Sequence, residues 1–175
     1  MKLFCLFIFS VVITISKTQS LDWTDSEPDQ PTFETPPGYN SWGTNLYKAY
    51  NVAKNWNYAQ QTCQEDNGNL AVINSAEEAQ FVRQLLIDNV PIIRSTYPGG
   101  WVGFRDFDGN ANWQTLTRQN LDEAGYNKWW RNGDKDEKDK CGAIKTCGRF
   151  SAVSCDESLA FICEIEPLLT NIHVE

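Results

Sequence analysis

The sequence has a single histidine, His173, and no pair of cysteines at C-x-x-C spacing. We therefore expect no zinc site built from the usual Cys and His ligands. The scarcity of histidine also leaves serine, cysteine and carboxylate side chains without the partner that nucleophilic catalysis needs, so we do not expect an enzyme. No N-x-S/T sequon occurs, and N-glycosylation is not predicted.

Long apolar runs are missing after residue 20. The one apolar run, residues 3–15, follows Lys2 and precedes small polar residues that end at Ser20. It is too short to span a bilayer, and this order of a charged, an apolar and a small polar region is typical of a secretory signal peptide. We predict a signal peptide over residues 1–20 and a secreted, extracellular protein.

Basic runs are also absent. Asp and Glu number 23 against 15 Lys and Arg, a net charge of −8 that becomes −10 once Lys2 and Lys17 leave with the signal peptide. Nucleic acids and anionic membranes attract basic surfaces, so the composition excludes both as partners.

The remaining chain divides by composition into a leader, a domain and a tail. Residues 21–38 are rich in Pro, Asp, Glu and Thr and predict a flexible leader. Residues 39–166 carry the aromatic and aliphatic residues of a folded domain, and residues 167–175 form a short tail.

The domain begins with a hairpin pattern, which is followed by two helical patterns and then by short β patterns. Asn55 is a predicted N-cap for a first helix, and Ser75 with Glu78 forms a predicted capping box for a second. Residues 70–73 predict a short buried strand, and a hairpin is predicted over residues 39–52. Two helices followed by strands indicate an α+β domain.

The order of motifs along the domain resembles the C-type lectin family. The motifs are Trp56-x-x-Ala59-x-x-x-Cys63, Gly68-x-Leu70-Ala71-x-Ile73-x-Ser75-x-x-Glu78-x-x-Phe81, Trp101-Val102-Gly103-Phe104, Trp113, Tyr126-x-x-Trp129, Cys141, Cys155 and Phe161-Ile162-Cys163-Glu164. The resemblance implies a disulfide-stapled α+β fold with two helices, short antiparallel sheets and long loops. Its tryptophans are family core positions, which makes Trp129 part of the scaffold.

Residues 124–129, together with Cys141 to Ile144, are most similar to the insect haemolymph lectins. This group includes lipopolysaccharide-binding proteins, immulectins, and lectins of parasitoid wasps and their bracoviruses. The resemblance therefore implies innate immune recognition in haemolymph.

Five cysteines remain outside the signal peptide, and in a secreted protein they predict disulfides. The family resemblance implies the pairs Cys63–Cys163 and Cys141–Cys155. Cys147 is then left over, and its thiol would be free, modified or paired with another chain, which would make a disulfide-linked dimer.

Function in this family usually depends on calcium held by a Glu-Pro-Asn or Gln-Pro-Asp triplet and an Asn-Asp pair. The triplet position here reads Asp134-Lys135-Asp136, without proline. The Asn-Asp pair is replaced by Ser151 and Ala152, and Ala152 has no ligating atom. The sequence therefore predicts no cofactor, or only weak Ca²⁺ binding.

An acidic cluster nevertheless surrounds the triplet position. One interpretation is a rebuilt metal site with Asp134, Asp136 and Asp139 as ligands. The other is a solvated loop whose neighbouring lysines neutralise the carboxylates, since a run of mixed charge is usually a solvent-exposed face.

Trp130 and Arg131 open the predicted binding loop. Trp130 is a candidate platform for a sugar face or a protein partner, and packing beneath the loop is the alternative. Arg131 is a candidate donor to carboxylate or phosphate groups of a microbial glycan. With Asp134 and Asp136 they are the predicted ligand-binding residues.

Two functions follow. The first is a secreted lectin-like recognition protein that binds carbohydrate or microbial surface glycan, including lipopolysaccharide, with weakened or lost calcium dependence. The alternative is a protein-binding module on the same fold, for example a parasitoid factor that interferes with host haemocytes.

Overall fold

The computed structural model describes residues 35–90, 98–131 and 141–167. The predicted signal peptide, residues 21–34 of the leader and residues 168–175 of the tail lie outside the described residues, so the predicted domain boundaries stay predictions. The helices are α1 (Trp56–Glu65) and α2 (Ala76–Asn89). The strands of the described residues are β1 (Asn40–Trp42), β2 (Asn45–Lys54), β3 (Asn69–Leu70), β4 (Gly99–Asp106), β5 (Trp113–Thr115), β6 (Cys141–Lys145), β7 (Phe150–Val153) and β8 (Leu159–Ile165).

The strands pair into one mixed sheet with the order β1-β2-β8-β4-β6-β7, in which β3 also pairs with β8 and β5 with β4. The predicted hairpin is formed by β1 and β2, and Leu46 of β2 lies opposite Ile165 of β8. Most pairs are antiparallel, but β4 and β8 run parallel. The α+β class is therefore confirmed, with the predicted short sheets joined into one.

Both predicted helix starts are present. The Asn55 side chain accepts a hydrogen bond from the Tyr58 backbone N–H at 2.9 Å, and Ser75 Oγ accepts one from Glu78 N–H at 3.1 Å. These caps satisfy backbone donors that the first turn of a helix leaves unpaired.

The predicted strand over residues 70–73 is wrong after its first residue, because β3 is Asn69–Leu70. The next two amides are bonded in different ways. Ala71 N–H donates to the Ile162 carbonyl at 2.9 Å, whereas Val72 N–H donates to Glu164 Oε2 at 2.9 Å. A carboxylate thus takes the place of a neighbouring strand at Val72.

The core lies on both faces of the sheet, and β4 supplies its centre. Trp101 is fully buried and donates its indole N–H to the Lys54 carbonyl at 2.8 Å. Gly103 allows β4 to approach β3 closely, since a Cβ there would lie 2.2 Å from the Leu70 carbonyl oxygen. The Trp-Val-Gly-Phe motif therefore needs glycine for packing.

Two disulfides close the fold in the pairs that the family resemblance implies. Cys63 of α1 bonds Cys163 of β8 across 100 residues, and Cys141 of β6 bonds Cys155 across 14 residues. The first ties a helix to the middle of the sheet, and the second ties β6 to the loop that follows β7.

Candidate functional site

Of the predicted ligand-binding residues, the structure describes Trp130 and Arg131. Asp134, Asp136 and Asp139 lie outside the described residues, so their roles as ligands stay predictions. No group of three or more His, Cys, Asp or Glu side chains within the described ranges is arranged to hold a metal ion.

Trp130 is fixed to the sheet through its backbone. Its N–H donates to the Phe150 carbonyl at 2.7 Å, and Phe150 N–H donates to the Lys128 carbonyl at 2.8 Å. These bonds hold residues 128–130 alongside β7. The side chain of Trp130 is half-buried, so part of the indole surface faces solvent.

Its neighbour Trp129 packs inward instead. The ring of Trp129 lies 5.1 Å from the Trp113 ring and 5.7 Å from the Phe104 ring, measured between centroids. Both contacts belong to the core around β4. Trp129 therefore has the scaffold position that the resemblance implies.

Two cations flank the Trp130 ring. The Arg131 guanidinium carbon lies 5.8 Å from the ring centroid, and Lys145 Nζ lies 5.6 Å from it. Both distances are within the range of cation–π attraction. We call Trp130, Arg131 and Lys145 the Trp130 patch. Lys145 comes from β6 and was not predicted, because it lies 14 positions further along the chain and no motif marks it.

The patch combines an aromatic face with positive charge. Arg131 is exposed and has a backbone φ of 58°, in the left-handed region. Arg149 extends the positive charge, since its exposed guanidinium donates to the Trp129 carbonyl at 3.2 Å. Such a surface can stack on a sugar ring and pair with its anionic substituents.

The positions at which the C-type lectin frame has its Asn-Asp calcium ligands lie inside β7. Ser151 and Ala152 are 2% and 7% exposed, opposite Ala143 and Gly142 of β6. A buried hydroxyl and a buried methyl group do not present the oxygens that Ca²⁺ requires.

Cys147 lies in the turn between β6 and β7, and its thiol is exposed and outside both disulfides. The turn is closed by a hydrogen bond from Gly148 N–H to the Lys145 carbonyl at 2.8 Å. Lys145 belongs to the Trp130 patch, so the free thiol lies two residues from it in sequence.

A buried carboxylate pair was missed by the sequence analysis. Glu78 and Glu164 are 0% and 7% exposed, and the Tyr47 hydroxyl lies 2.7 Å from Glu78 Oε1 and 2.9 Å from Glu164 Oε1. Asn45 Nδ2 donates to the same Glu164 oxygen at 2.7 Å. The single hydroxyl hydrogen of Tyr47 is therefore shared between two carboxyl acceptors.

Both carboxyl groups of this pair have raised pKa values. Burial raises the pKa of Glu78 and of Glu164, while hydrogen bonds from backbone N–H groups and from Tyr47 oppose that shift. Burial also raises the pKa of Tyr47, and both carboxylates add to the effect. The capping-box pattern marks Glu78, but its carboxylate accepts a hydrogen bond from Asn74 N–H at 2.8 Å rather than from the Ser75 backbone.

A family model described as the Lectin C-type domain matches residues 52–165. The chain belongs to the C-type lectin domain family. The haemolymph lipopolysaccharide-binding protein of Periplaneta americana is 25% identical over 157 residues, covering 87% of this chain and 61% of that protein. Snaclec A8 of Macrovipera lebetinus is 31% identical over 134 residues, covering 74% of this chain and 98% of that one.

Among solved structures, a calcium-independent type II antifreeze protein has the same C-type lectin fold. Its TM-score is 0.61 at 22% identity, covering 76% of this chain and 95% of that one. The predicted family and fold are thereby confirmed. This C-type lectin domain protein spans less than two thirds of the length of the Periplaneta relative.

The relatives are C-type lectin-like binding proteins, and neither curated relative is named as an enzyme. No helix within the described residues of this C-type lectin is long and apolar enough to cross a membrane.

Proposed function

We propose that this chain is a secreted lectin-like recognition protein of insect haemolymph that binds microbial surface glycans, lipopolysaccharide among them, in innate immunity. The observation that carries the proposal is the Trp130 patch, a half-buried indole with a guanidinium and an ammonium group within 6 Å of its ring. The Periplaneta relative, which is named for lipopolysaccharide binding, supports the same ligand class.

The proposed binding does not require calcium. Ala152 has no ligating atom and Ser151 is buried in β7, which supports the loss of two of the usual ligand positions. A calcium-independent relative with the same fold supports this reading. Weak binding of Ca²⁺ by Asp134, Asp136 and Asp139 stays part of the proposal as an accessory feature.

We expect Trp130→Ala to weaken binding to lipopolysaccharide about tenfold, and chelator to leave binding unchanged. A stacked aromatic contact is worth about 0.5–1.5 kcal/mol beyond its buried area, and about 1.4 kcal/mol is a factor of ten. Trp130→Phe keeps a ring and should retain part of the affinity. The measurement is a dissociation constant on immobilised lipopolysaccharide and on a bacterial glycan array, with and without EDTA.

The matched control is Tyr58→Ala, which removes another aromatic side chain, 63% exposed, from α1 outside the patch. Glycan affinity should be unchanged in this variant. If EDTA abolishes binding, or if Trp130→Ala binds as tightly as the wild type, the proposed site is wrong.

A second candidate function is a protein-binding module that interferes with host haemocytes. The exposed side chains of Val52 and Tyr58, 56% and 63% exposed, favour it, because large exposed apolar groups are typical of protein contacts. No glycan binding together with binding to haemocyte surfaces that Tyr58→Ala weakens would select this candidate.

We also propose that Cys147 joins two chains by a disulfide, since its exposed thiol has no partner among the described cysteines. Two weak glycan sites linked in this way would gain avidity. The wild type should migrate as a dimer on a non-reducing gel and as a monomer after reduction, and Cys147→Ser should be monomeric in both. A monomeric wild type on the non-reducing gel would rule out the link.

A further inference from the structure

Two arginine side chains share one aromatic ring at the end of β4. The guanidinium carbon of Arg105 lies 5.4 Å from the centroid of Phe107, and that of Arg118 lies 3.7 Å from it. Arg105 also lies 5.1 Å from the centroid of Trp56. We call Trp56, Arg105, Phe107 and Arg118 the arginine cluster.

The structure holds both guanidinium groups in place. Arg105 Nη1 donates to Asn57 Oδ1 at 3.3 Å. Arg118 has a backbone φ of 66°, in the left-handed region that is unfavourable for a residue with a Cβ, and its N–H donates to the Thr115 carbonyl at 2.9 Å. The turn therefore positions Arg118 over Phe107 at some cost in backbone strain.

Neither guanidinium forms a salt bridge with a carboxylate in the part of the chain that the structure describes. The one ion pair between described residues joins Lys48 to Asp66. Asp106, the acid adjacent to Arg105, accepts backbone N–H groups of Gly109 and Ala111 at 2.9 and 3.0 Å. Its carboxylate is thus engaged by the turn that follows β4.

The hydrogen-bonding capacity of the cluster is also largely unused. Each guanidinium has five N–H groups. Within the described chain, Arg105 makes the single side-chain bond to Asn57, and its buried Nε has no partner. Burial lowers the pKa of Arg105, and the charge of Arg118 lowers it further, while the charge of Asp106 opposes the shift. Two like charges are therefore held close together.

We infer that the arginine cluster binds a phosphate or sulfate group. A planar guanidinium donates parallel N–H bonds that match the oxygens of such an anion, and two of them neutralise its charge. The ring of Phe107 and that of Trp56 stack against the guanidinium groups and limit their motion. The chemical class of ligand is a tetrahedral oxyanion, either free or esterified to a sugar.

This site is separate from the Trp130 patch and does not rest on the proposed function. Lys145 of the patch pairs with Gly99 at one end of β4, whereas Arg105 lies opposite Cys141 near the other end. Gly99 and Arg105 are six residue steps apart along the strand, which corresponds to about 20 Å. One anion cannot contact both sites.

The test is an NMR titration of the full chain with inorganic phosphate, inorganic sulfate and glucose 6-phosphate, observing the Nε–Hε signals of the arginine side chains. Saturable shifts of the Arg105 and Arg118 signals at millimolar concentration are expected, and they should weaken as sodium chloride is raised. Tighter binding of glucose 6-phosphate would identify a sugar ester as the ligand, and equal affinities would identify the free anion.

Arg118→Gly should weaken binding at least tenfold without harming the fold, because glycine adopts the left-handed backbone more readily than arginine does. Arg105→Lys keeps the charge and should lose part of the affinity. Lys128→Ala removes one exposed positive charge elsewhere and should leave the affinity unchanged. No saturable shift at Arg105 and Arg118, or equal weakening by Lys128→Ala and Arg118→Gly, would overturn the inference.

Discussion

Replacement of Cys63 and Cys163 by alanine is expected to lower the free energy of unfolding by about 4.7 kcal/mol, the chain-entropy value for a loop of 100 residues. Domains of this size are stable by only about 5–15 kcal/mol, so the variant should lie close to unfolding at 37 °C. The disulfide joins α1 to β8, two elements from opposite ends of the domain, and its loss frees most of the chain. Urea unfolding monitored by tryptophan fluorescence measures the change.

The double variant Cys141→Ala and Cys155→Ala is the matched control. It makes the same chemical change, but its loop of 14 residues predicts a loss of about 3 kcal/mol. The order of the two losses is the decisive result. Equal losses, or a larger loss for the short loop, would show that loop length does not govern the effect here.

We expect Tyr47→Phe to cost about 1–3 kcal/mol near neutral pH and less near pH 5, because it removes the hydroxyl donor from two buried carboxyl groups. The Tyr47 hydrogen bond opposes the rise in pKa that burial causes in Glu78 and Glu164. Its removal should raise both pKa values further.

The direction of this pH dependence of stability follows from proton linkage. A carboxyl whose pKa is raised in the folded state contributes stability below its unfolded pKa, about 4.3, and that contribution is lost as the pH rises through the folded pKa. The stability of Tyr47→Phe should therefore fall more steeply than that of the wild type above this pH. Asp66 has a lowered pKa and the opposite dependence, but it is common to both proteins and cancels in the difference.

Tyr126→Phe is the control for this variant. The Tyr126 hydroxyl donates to the Gly148 carbonyl at 2.6 Å, so its loss leaves an unpaired carbonyl and no carboxylate. The loss of unfolding free energy caused by Tyr126→Phe, measured by urea unfolding, should be the same at pH 5 and at pH 7.5. If Tyr47→Phe lowers the free energy of unfolding equally at pH 5 and pH 7.5, the predicted link between the Tyr47 hydroxyl and the ionisation of the two carboxyl groups is wrong.

The local elements of the fold could be predicted from sequence because their determinants lie within a few residues. Asn55 and Ser75 mark helix starts through hydrogen bonds to N–H groups three residues later. The parallel pairing of β4 with β8 could not be predicted, since it joins segments about 60 residues apart and no local signal specifies it.

The residues of the candidate sites also fall into those that could be predicted from the sequence and those that could not. Trp130 and Arg131 are adjacent in the loop and could be proposed from the family resemblance alone. Lys145, Arg105 and Arg118 could not, because the sheet and its loops bring them to their partners. Glu78 shows most clearly what sequence alone cannot predict. Its spacing from Ser75 predicts a capping box, but its carboxylate is placed by a hydrogen bond from Tyr47, 31 residues earlier in the chain.

The pairing of Leu46 with Ile165 brings the two ends of the domain side by side. Four strand spacings, about 19 Å, separate β2 from β7, the strand beside which Trp130 lies. A domain with this geometry can be placed within a loop of another protein, or on a stalk, with the Trp130 patch several strands away from the junction. Fusion at the two ends should therefore leave ligand access intact, which makes the domain a suitable module for building multivalent binders.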